Sequence, residues 1–265
     1  MRIIVPIKQV PETSKVSMDP VTGTMIREGL EAIVNPLDLY AIEAALALRA
    51  KCGGEVVVVS MGPPKAMIAL REAVSMGADA AVLLSDKAFA GSDTWATSYV
   101  LAAAARKLGA CDIIICGERA TDGDTGQVGP AIAAWLDLPV VTYVSSIDPA
   151  DGFMRVRRLV ENGHEVLEAD TPAVLTVVKE IGDPRLPTLA GKLRAKSLEI
   201  PVWAAADLDV DPARLGLAGS PTRVVKIFKP KVSRQCEKLA AGDEALTAVA
   251  VERLVHVLRH RELIP

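Results

Sequence analysis

Short apolar runs alternate with helix-length amphipathic segments from the N-terminus to about residue 144, and this alternation restricts the fold more than any other feature. The runs at residues 2–7, 55–61, 80–84, 113–116 and 139–144 are rich in Val, Ile and Leu along their length, as suits strands buried on both faces. Helix signals fall between them. Asn35-Pro36-Leu37-Asp38 places a cap residue, a first-turn proline and a first-turn acid in order, followed by a stripe of Leu37, Tyr40, Ala41, Ala44, Ala45 and Leu48. Gly62-Pro63-Pro64 opens a second helix through Met67, Leu70 and Val74, and Gly91-Ser92-Asp93-Thr94 caps a third carrying Trp95, Tyr99 and Ala103. Strands separated by helices of this length imply right-handed crossovers and a parallel sheet, an α/β fold. Ligands of such sheets sit beyond the carboxyl ends of the strands, here the loops after Val5, Ser60, Leu84 and Cys116.

The most suggestive of those loops lies in residues 112–139. An apolar run, Ile113 to Cys116, leads into Ala120-Thr121-Asp122-Gly123-Asp124-Thr125-Gly126-Gln127, then into an alanine-rich segment with Ile132, Trp135 and Leu136 on one face. A glycine-bearing loop before a helix N-terminus offers backbone N–H groups and a positive dipole end to an anion. Pro130 has no N–H to give the helix, so loop amides remain available whether the helix starts late or opens its first turn. The stretch matches neither GxGxxG nor a Walker loop, and Gly, Asp and Thr also serve as plain turn and cap residues. On pattern alone, a phosphate cradle and a structural loop stand level.

Composition excludes several classes. Aromatic residues make up only 3% of 265 residues and the net charge is −3, so neither stacking platforms nor a basic footprint points to nucleic acid. No uncharged run approaches the roughly 20 residues of a membrane helix. Cys52, Cys111, Cys116 and Cys236 form no CxxC pair; with no secretory signal at Met1-Arg2, they are expected to be reduced thiols of a cytoplasmic protein. Asp122 and Asp124 could form an acid/base or Mg²⁺ pair but are more economically turn residues, and Glu252, His256 and His260 lack a further ligand, so no metal site is expected. No nucleophile–base arrangement is evident. A chain that binds a nucleotide without catalytic residues of its own leaves the chemistry to a cofactor.

Beyond the alternating region the texture changes. Residues 15–18 and 24–27 flank an Asp-Pro-Val-Thr-Gly turn, and residues 154–160 and 164–169 are joined through Asn162-Gly163; both read as hairpins. Residues 172–178 form another apolar strand. Residues 182–200 mix Leu186, Leu189 and Leu193 with Arg185, Lys192, Arg194 and Lys196, either a solvated helix or a docking loop with a cationic collar. Residues 201–231 show little core of their own, like an arm laid on something else. Residues 243–261 form an amphipathic helix through Leu246, Val249, Ala250, Leu254 and Val257.

Several blocks together carry a family resemblance: residues 5–11 (VPIKQVP), 35–38 (NPLD) with 43–46 (EAAL), 60–63 (SMGP), 73–84, 117–130, 172–176 (PAVLT) and 219–222 (GSPT). Over its whole length the chain resembles the beta subunit of electron-transfer flavoprotein. The resemblance implies a Rossmann-like adenine-nucleotide-binding domain over residues 1–181 with a hairpin at 147–170. It further implies a docking loop at 182–200, and a C-terminal arm and helix over 201–265 that pack on an alpha subunit bearing FAD. The implied nucleotide contacts are Pro6, Asn35, Asp38, Ser60, Met61, Gly62, Gly91, Ser92, Asp93, Thr94, Thr97, Cys116, Gly117, Glu118, Ala120, Asp122, Gly123, Asp124, Thr125, Gly126, Gln127 and Val128.

Ordinary members of this family hold a structural AMP. Bifurcating members hold a second FAD that takes hydride from NADH and divides the electrons between a high- and a low-potential acceptor, the latter a ferredoxin or flavodoxin. Asp122-Gly123-Asp124-Thr125-x-Gln127-Val128-Gly129-Pro130, with Gly91-Ser92-Asp93-Thr94, resembles the bifurcating pattern, and Gly91, Gly123 and Gly126 allow close backbone approach. Thr13 stands where some AMP-type members place a tyrosine. The family's recognition loop docks a leucine onto acyl-CoA dehydrogenases, and Leu189 corresponds to it, with Arg185, Lys192, Arg194 and Lys196 as the collar.

Overall fold

The valine- and isoleucine-rich runs become the inner strands of one sheet, as their lack of polar alternation requires. The computed structural model describes residues 1–12, 17–18, 25–26, 32–225 and 236–265. In chain order the elements are β1 (Arg2–Pro6), β2 (Gln9–Pro11), β3 (Ser17–Met18), β4 (Met25–Ile26), β5 (Ala32–Val34), α1 (Pro36–Cys52), β6 (Glu55–Met61), α2 (Met67–Met76), β7 (Ala80–Leu84), α3 (Thr94–Leu108), β8 (Ile113–Gly117) and α4 (Val128–Leu136). There follow β9 (Val140–Pro149), β10 (Phe153–Val160), β11 (Gly163–Asp170), β12 (Ala173–Val177), α5 (Leu189–Ser197), β13 (Val202–Trp203) and α6 (Glu244–His260). Among the described residues the main sheet runs β11-β10-β9-β12-β8-β1-β6-β7-β13, parallel from β9 to β13 and antiparallel through β9-β10-β11. The α/β class and parallel centre follow the sequence expectation.

Alternate residues of β1 divide the core. Ile3 and Val5 pack with Ile42 and Leu46 of α1 and Leu70 and Val74 of α2 on one face. Ile4 faces Val100 and Ala104 of α3 and Ile132 of α4 on the other. The run of alanines in α3 is buried, and side chains this small let the helix lie close to the sheet. With few aromatics available, the core is filled by branched aliphatics, each contributing about 1.5–3 kcal/mol when fully buried.

Three features depart from the sequence reading. First, the strand expected to stop at residue 144 continues to Pro149 and carries β10 along it. Pairing of Leu175 with Val141 and of Val177 with Val144 leaves one extra residue in β9, a bulge at which Tyr143 takes φ 58°. Second, Val160 pairs with Gly163, so the hairpin turns on Glu161-Asn162, one residue before the Asn-Gly pair expected. Third, the stretch after residue 200 has no core because it completes an existing one. Its β13 extends the parallel sheet beside β7, Leu208 and Leu215 are buried, and Arg214 lies 5.5 Å from the Trp135 ring centre. The chain divides into two compact units, Met1–Lys226 and Ile227–Pro265, so residues 201–225 fall in the first unit with the main sheet.

Residues 182–200 contain a true helix. Thr188 Oγ1 accepts from the Gly191 amide at its start, and Ala195 is buried. The short strands β3 and β4 pair antiparallel, as the first hairpin signal expects; their turn and Thr13 lie outside the described residues. In the second unit Asp243 caps α6 through the Leu246 amide (2.8 Å), and no α6 residue is buried within the described chain. No cluster of His, Cys, Asp and Glu among the described residues could hold a metal, and no described helix is long and apolar enough to cross a membrane.

Candidate functional site

A cleft with a volume of about 660 Å³ opens beyond the carboxyl ends of β1, β6, β7 and β8, where a parallel sheet places its ligands. Its floor depends on Gly117. A Cβ there would lie 2.4 Å from Asp38 Oδ1 and 2.9 Å from the Leu37 carbonyl carbon, so only glycine lets β8 run against the start of α1.

The loop after Gly117 is held by Asn35. This residue sits at the α1 cap position, but its side chain does not cap the helix. Instead Nδ2 donates to the Arg119 carbonyl (2.9 Å), while Oδ1 accepts from the Thr121 amide (3.1 Å). Being completely buried, it makes both bonds away from competing water. Further on, the amides of Gly123 and Asp124 donate to the Ala120 carbonyl, and Asp124 and Gly126 adopt φ values of 53° and 63°.

Those turns leave the backbone N–H groups of Thr125, Gly126, Gln127, Val128 and Gly129 without an acceptor among the described residues, all in the cleft wall. No side chain caps α4 and no acid lies in its first turn. The start of α3 differs, because Asp93 Oδ1 accepts from the Trp95 and Ala96 amides at 2.9 and 3.1 Å. An anion in the cleft is therefore served by α4 and its loop. The cleft's cations are engaged with the loop's own acids. Lys8 Nζ lies 2.6 Å from Asp122, and Arg119 Nε lies 3.2 Å from Glu118 and 3.0 Å from Asp124. Such partly exposed pairs are weak enough to exchange for a ligand phosphate.

Asp38 lines the same cleft while almost fully buried, its Oδ2 accepting from the Lys8 amide at 2.7 Å. Burial pushes its carboxyl up to about 7, against which the Lys8 and Asn35 contacts act only partly. Below the ordinary value of 3.8 the folded and unfolded chains both hold this proton. As pH rises from there, the unfolded chain releases it first, so stability drains away until the folded group ionises near 7. The unfolding free energy of the protein should therefore fall between pH 5 and 7 relative to Asp38→Asn, by up to about 1.4 kcal/mol per pH unit, with the thermal midpoint falling alongside it. Parallel profiles for the two proteins would show that this acid does not titrate there. Burial and the nearby Asp38 also raise the Cys116 thiol far above its ordinary range, so it stays protonated.

Of the residues expected at the site, Pro6, Asp38, Met61, Ser92, Asp93, Thr94, Thr97, Cys116, Gly117, Glu118, Ala120, Gly123, Thr125, Gly126, Gln127 and Val128 line this one cleft. Six do not. Asn35 and Ser60 are buried behind it, the Gly62 amide donates to the Leu84 carbonyl, and Gly91 packs against Leu217. Asp122 and Asp124 point to Lys8 and Arg119. The lining residues absent from the expected set are Ile7, Lys8, Leu101, Arg119, Gly129, Thr222 and Val224. Arg119 lies within the loop's own sequence, whereas Lys8 meets the loop only in the fold, bonding Asp122, 114 residues later. Thr222 carried no local signal, since it reaches the cleft only through Asp93, 129 residues earlier.

At and just before α5, which packs on α2, Leu186, Leu189 and Leu193 are 83%, 76% and 59% exposed. Two of the four expected collar cations are already committed. Arg185 grips Glu43 through two side-chain bonds of 2.8 Å, and Arg194 donates to the Ala78 and Asp79 carbonyls. The side chains of Lys192 and Lys196 make no hydrogen bond or ion pair among the described residues.

Comparison with known proteins gives the chain's family. Residues 22–208 match the family model described as the electron transfer flavoprotein domain. The chain is 47% identical to an electron transfer flavoprotein subunit beta of Thermoanaerobacterium thermosaccharolyticum over the full length of both. It is 45% identical to the caffeyl-CoA reductase-Etf complex subunit CarD of Acetobacterium woodii, again over all of both chains. It is also 45% identical to protein FixA of Azorhizobium caulinodans, over 98% of this chain and 95% of that one.

Proposed function

Because this chain belongs to the electron transfer flavoprotein beta-subunit family, we propose that its cleft holds FAD and that it passes electrons from NADH, through a flavin-bearing alpha subunit, to an acyl-CoA dehydrogenase-type partner. The observation that carries the nucleotide reading is the row of amides from Thr125 to Gly129 with no acceptor among the described residues, a donor set matched to a pyrophosphate. The fit is steric as well as electrostatic: a side chain at Gly123 would meet nothing, so the loop leaves room where a large ligand can lie. The cleft also falls within the roughly 300–1,000 Å³ typical of cofactor sites.

When bound, FAD supplies the hydride and electron transfer chemistry. The chain's own residues bind and orient it. Asn35 sets the loop, the α4 amides take the diphosphate, and Lys8 and Arg119 are free to exchange their carboxylate partners for it. With its carboxyl pushed up to about 7, Asp38 is only partly ionised at neutrality, so the cleft floor adds less negative charge against a phosphate than an ordinary carboxylate would.

Bifurcation, with a ferredoxin or flavodoxin as low-potential acceptor, is supported by residues 122–130 and by the name of the caffeyl-CoA reductase-Etf relative, which joins a flavoprotein subunit to a CoA-thioester reductase. The nucleotides extracted from the purified two-subunit complex test this reading. Two FAD per heterodimer are expected, with bleaching by NADH. One FAD with one AMP would assign the chain to the non-bifurcating class, its cleft holding a structural nucleotide.

A further inference from the structure

Thr222 and Val224 line the nucleotide cleft although they come from the end of the first compact unit, far in sequence from every other lining residue. One side chain brings them there. Asp93 Oδ1 caps α3, while Oδ2 accepts from both the amide (2.9 Å) and the hydroxyl (2.8 Å) of Thr222. The Asp93 amide in turn donates to Ser220 Oγ (2.8 Å), and that hydroxyl donates to the Gly216 carbonyl (2.7 Å). Burial would raise the Asp93 carboxyl, but the bonds from Ala96, Thr222 and Trp95 outweigh it and keep the group below its ordinary range, hence charged. Charge-assisted bonds of this kind are stronger than neutral ones. With both oxygens engaged, Asp93 has little capacity left for a ligand, although it stands in the cleft wall. Val224 remains 78% exposed on the cleft rim, an apolar side chain left uncovered by the described residues.

We propose that residues 219–225 are a strap across the nucleotide cleft, latched by Asp93, and that Asp93 and Thr222 set how slowly the nucleotide leaves. This rests on the cleft being the adenine-nucleotide site. Asp93 is then a positioning residue, holding Thr222 and Val224 against the ligand beside the start of α3.

Asp93→Asn is a clean probe, because Asn caps a helix as well as Asp does but its amide nitrogen cannot accept from Thr222. Thr222→Val removes the hydroxyl and keeps the branched shape, and since Thr222 is exposed this variant carries the test even if Asp93→Asn folds poorly. The two-subunit complex is loaded with adenine nucleotide, stripped of free ligand, and followed for release. Because these bonds are solvent-accessible, Thr222→Val is expected to release about three- to tenfold faster, and Asp93→Asn faster still. Occupancy at saturating nucleotide should be unchanged, and Thr222→Ser should restore the slow rate. Release at the wild-type rate from both variants, or failure of Thr222→Ser to restore it, overturns the latch and leaves the site intact. A wild-type complex that holds no adenine nucleotide overturns the site and the latch together.

Discussion

A complex carrying Gly126→Val should purify with its alpha-subunit flavin but with the beta-subunit nucleotide reduced by an order of magnitude or more. Gly126 sits at φ 63°, where a β-branched residue is strained by roughly 1–2 kcal/mol. The nearest atom a Cβ would meet is the Glu118 carbonyl oxygen at 3.5 Å, an ordinary contact, so the substitution has no clash to unfold the chain. Relief of the strain comes instead from turning the loop, which takes the amides of residues 125–129 out of their common direction. A domain with the usual 5–15 kcal/mol of stability absorbs that strain, so the thermal midpoint of the nucleotide-free protein should fall by only a few degrees. Gly123→Ala provides the contrast, because its Cβ meets nothing and its backbone is unstrained. Loss of nucleotide in that variant reports crowding of the ligand itself. Full nucleotide content in Gly126→Val would remove the loop from the binding site.

The second large effect is at Leu189. Replacing it with alanine should lower kcat/KM for electron delivery to the acceptor dehydrogenase by about 30-fold, the consequence of losing roughly 2 kcal/mol at an anchoring residue. Leu189 is 76% exposed, so its truncation leaves no cavity, and flavin content and reduction by NADH should match wild type. Leu186→Ala and Leu193→Ala should have smaller effects if the docked residue is the helix-start leucine. A transfer rate equal to wild type in Leu189→Ala would discard this face as the docking surface. Lys192 and Lys196, the expected collar cations without a side-chain partner among the described residues, should govern the salt dependence of transfer, and Arg185, locked on Glu43, should not.

What could be read in advance was set by local periodicity. The runs at residues 55–61 and 113–116 have no polar face to offer water, so their burial followed from the residues alone. The ring of loops over the cleft followed in turn from the parallel topology. What escaped was long-range or conditional. Asn35 was legible as a cap by position, but its side chain serves a loop 84 residues downstream, a use no local window contains. Residues 201–225 looked coreless because their few apolar side chains complete someone else's layer: Leu208 and Leu215 fill gaps beside α3 that exist only once the sheet is built. Arg185 and Arg194 looked like free surface charge because nothing nearby in the sequence announces Glu43 or the Ala78 and Asp79 carbonyls as their partners.

The place of β12 bears on the order in which a ribosome can deliver this protein. β9 touches the parallel sheet only through β12, yet β12 is synthesised after β9, β10 and β11 are complete. The nascent three-stranded meander must wait as a detached flap while a later segment slips in between it and β8, a non-adjacent pairing of the kind that slows folding. The newly made chain is vulnerable in that interval, since two strand edges stand open at once.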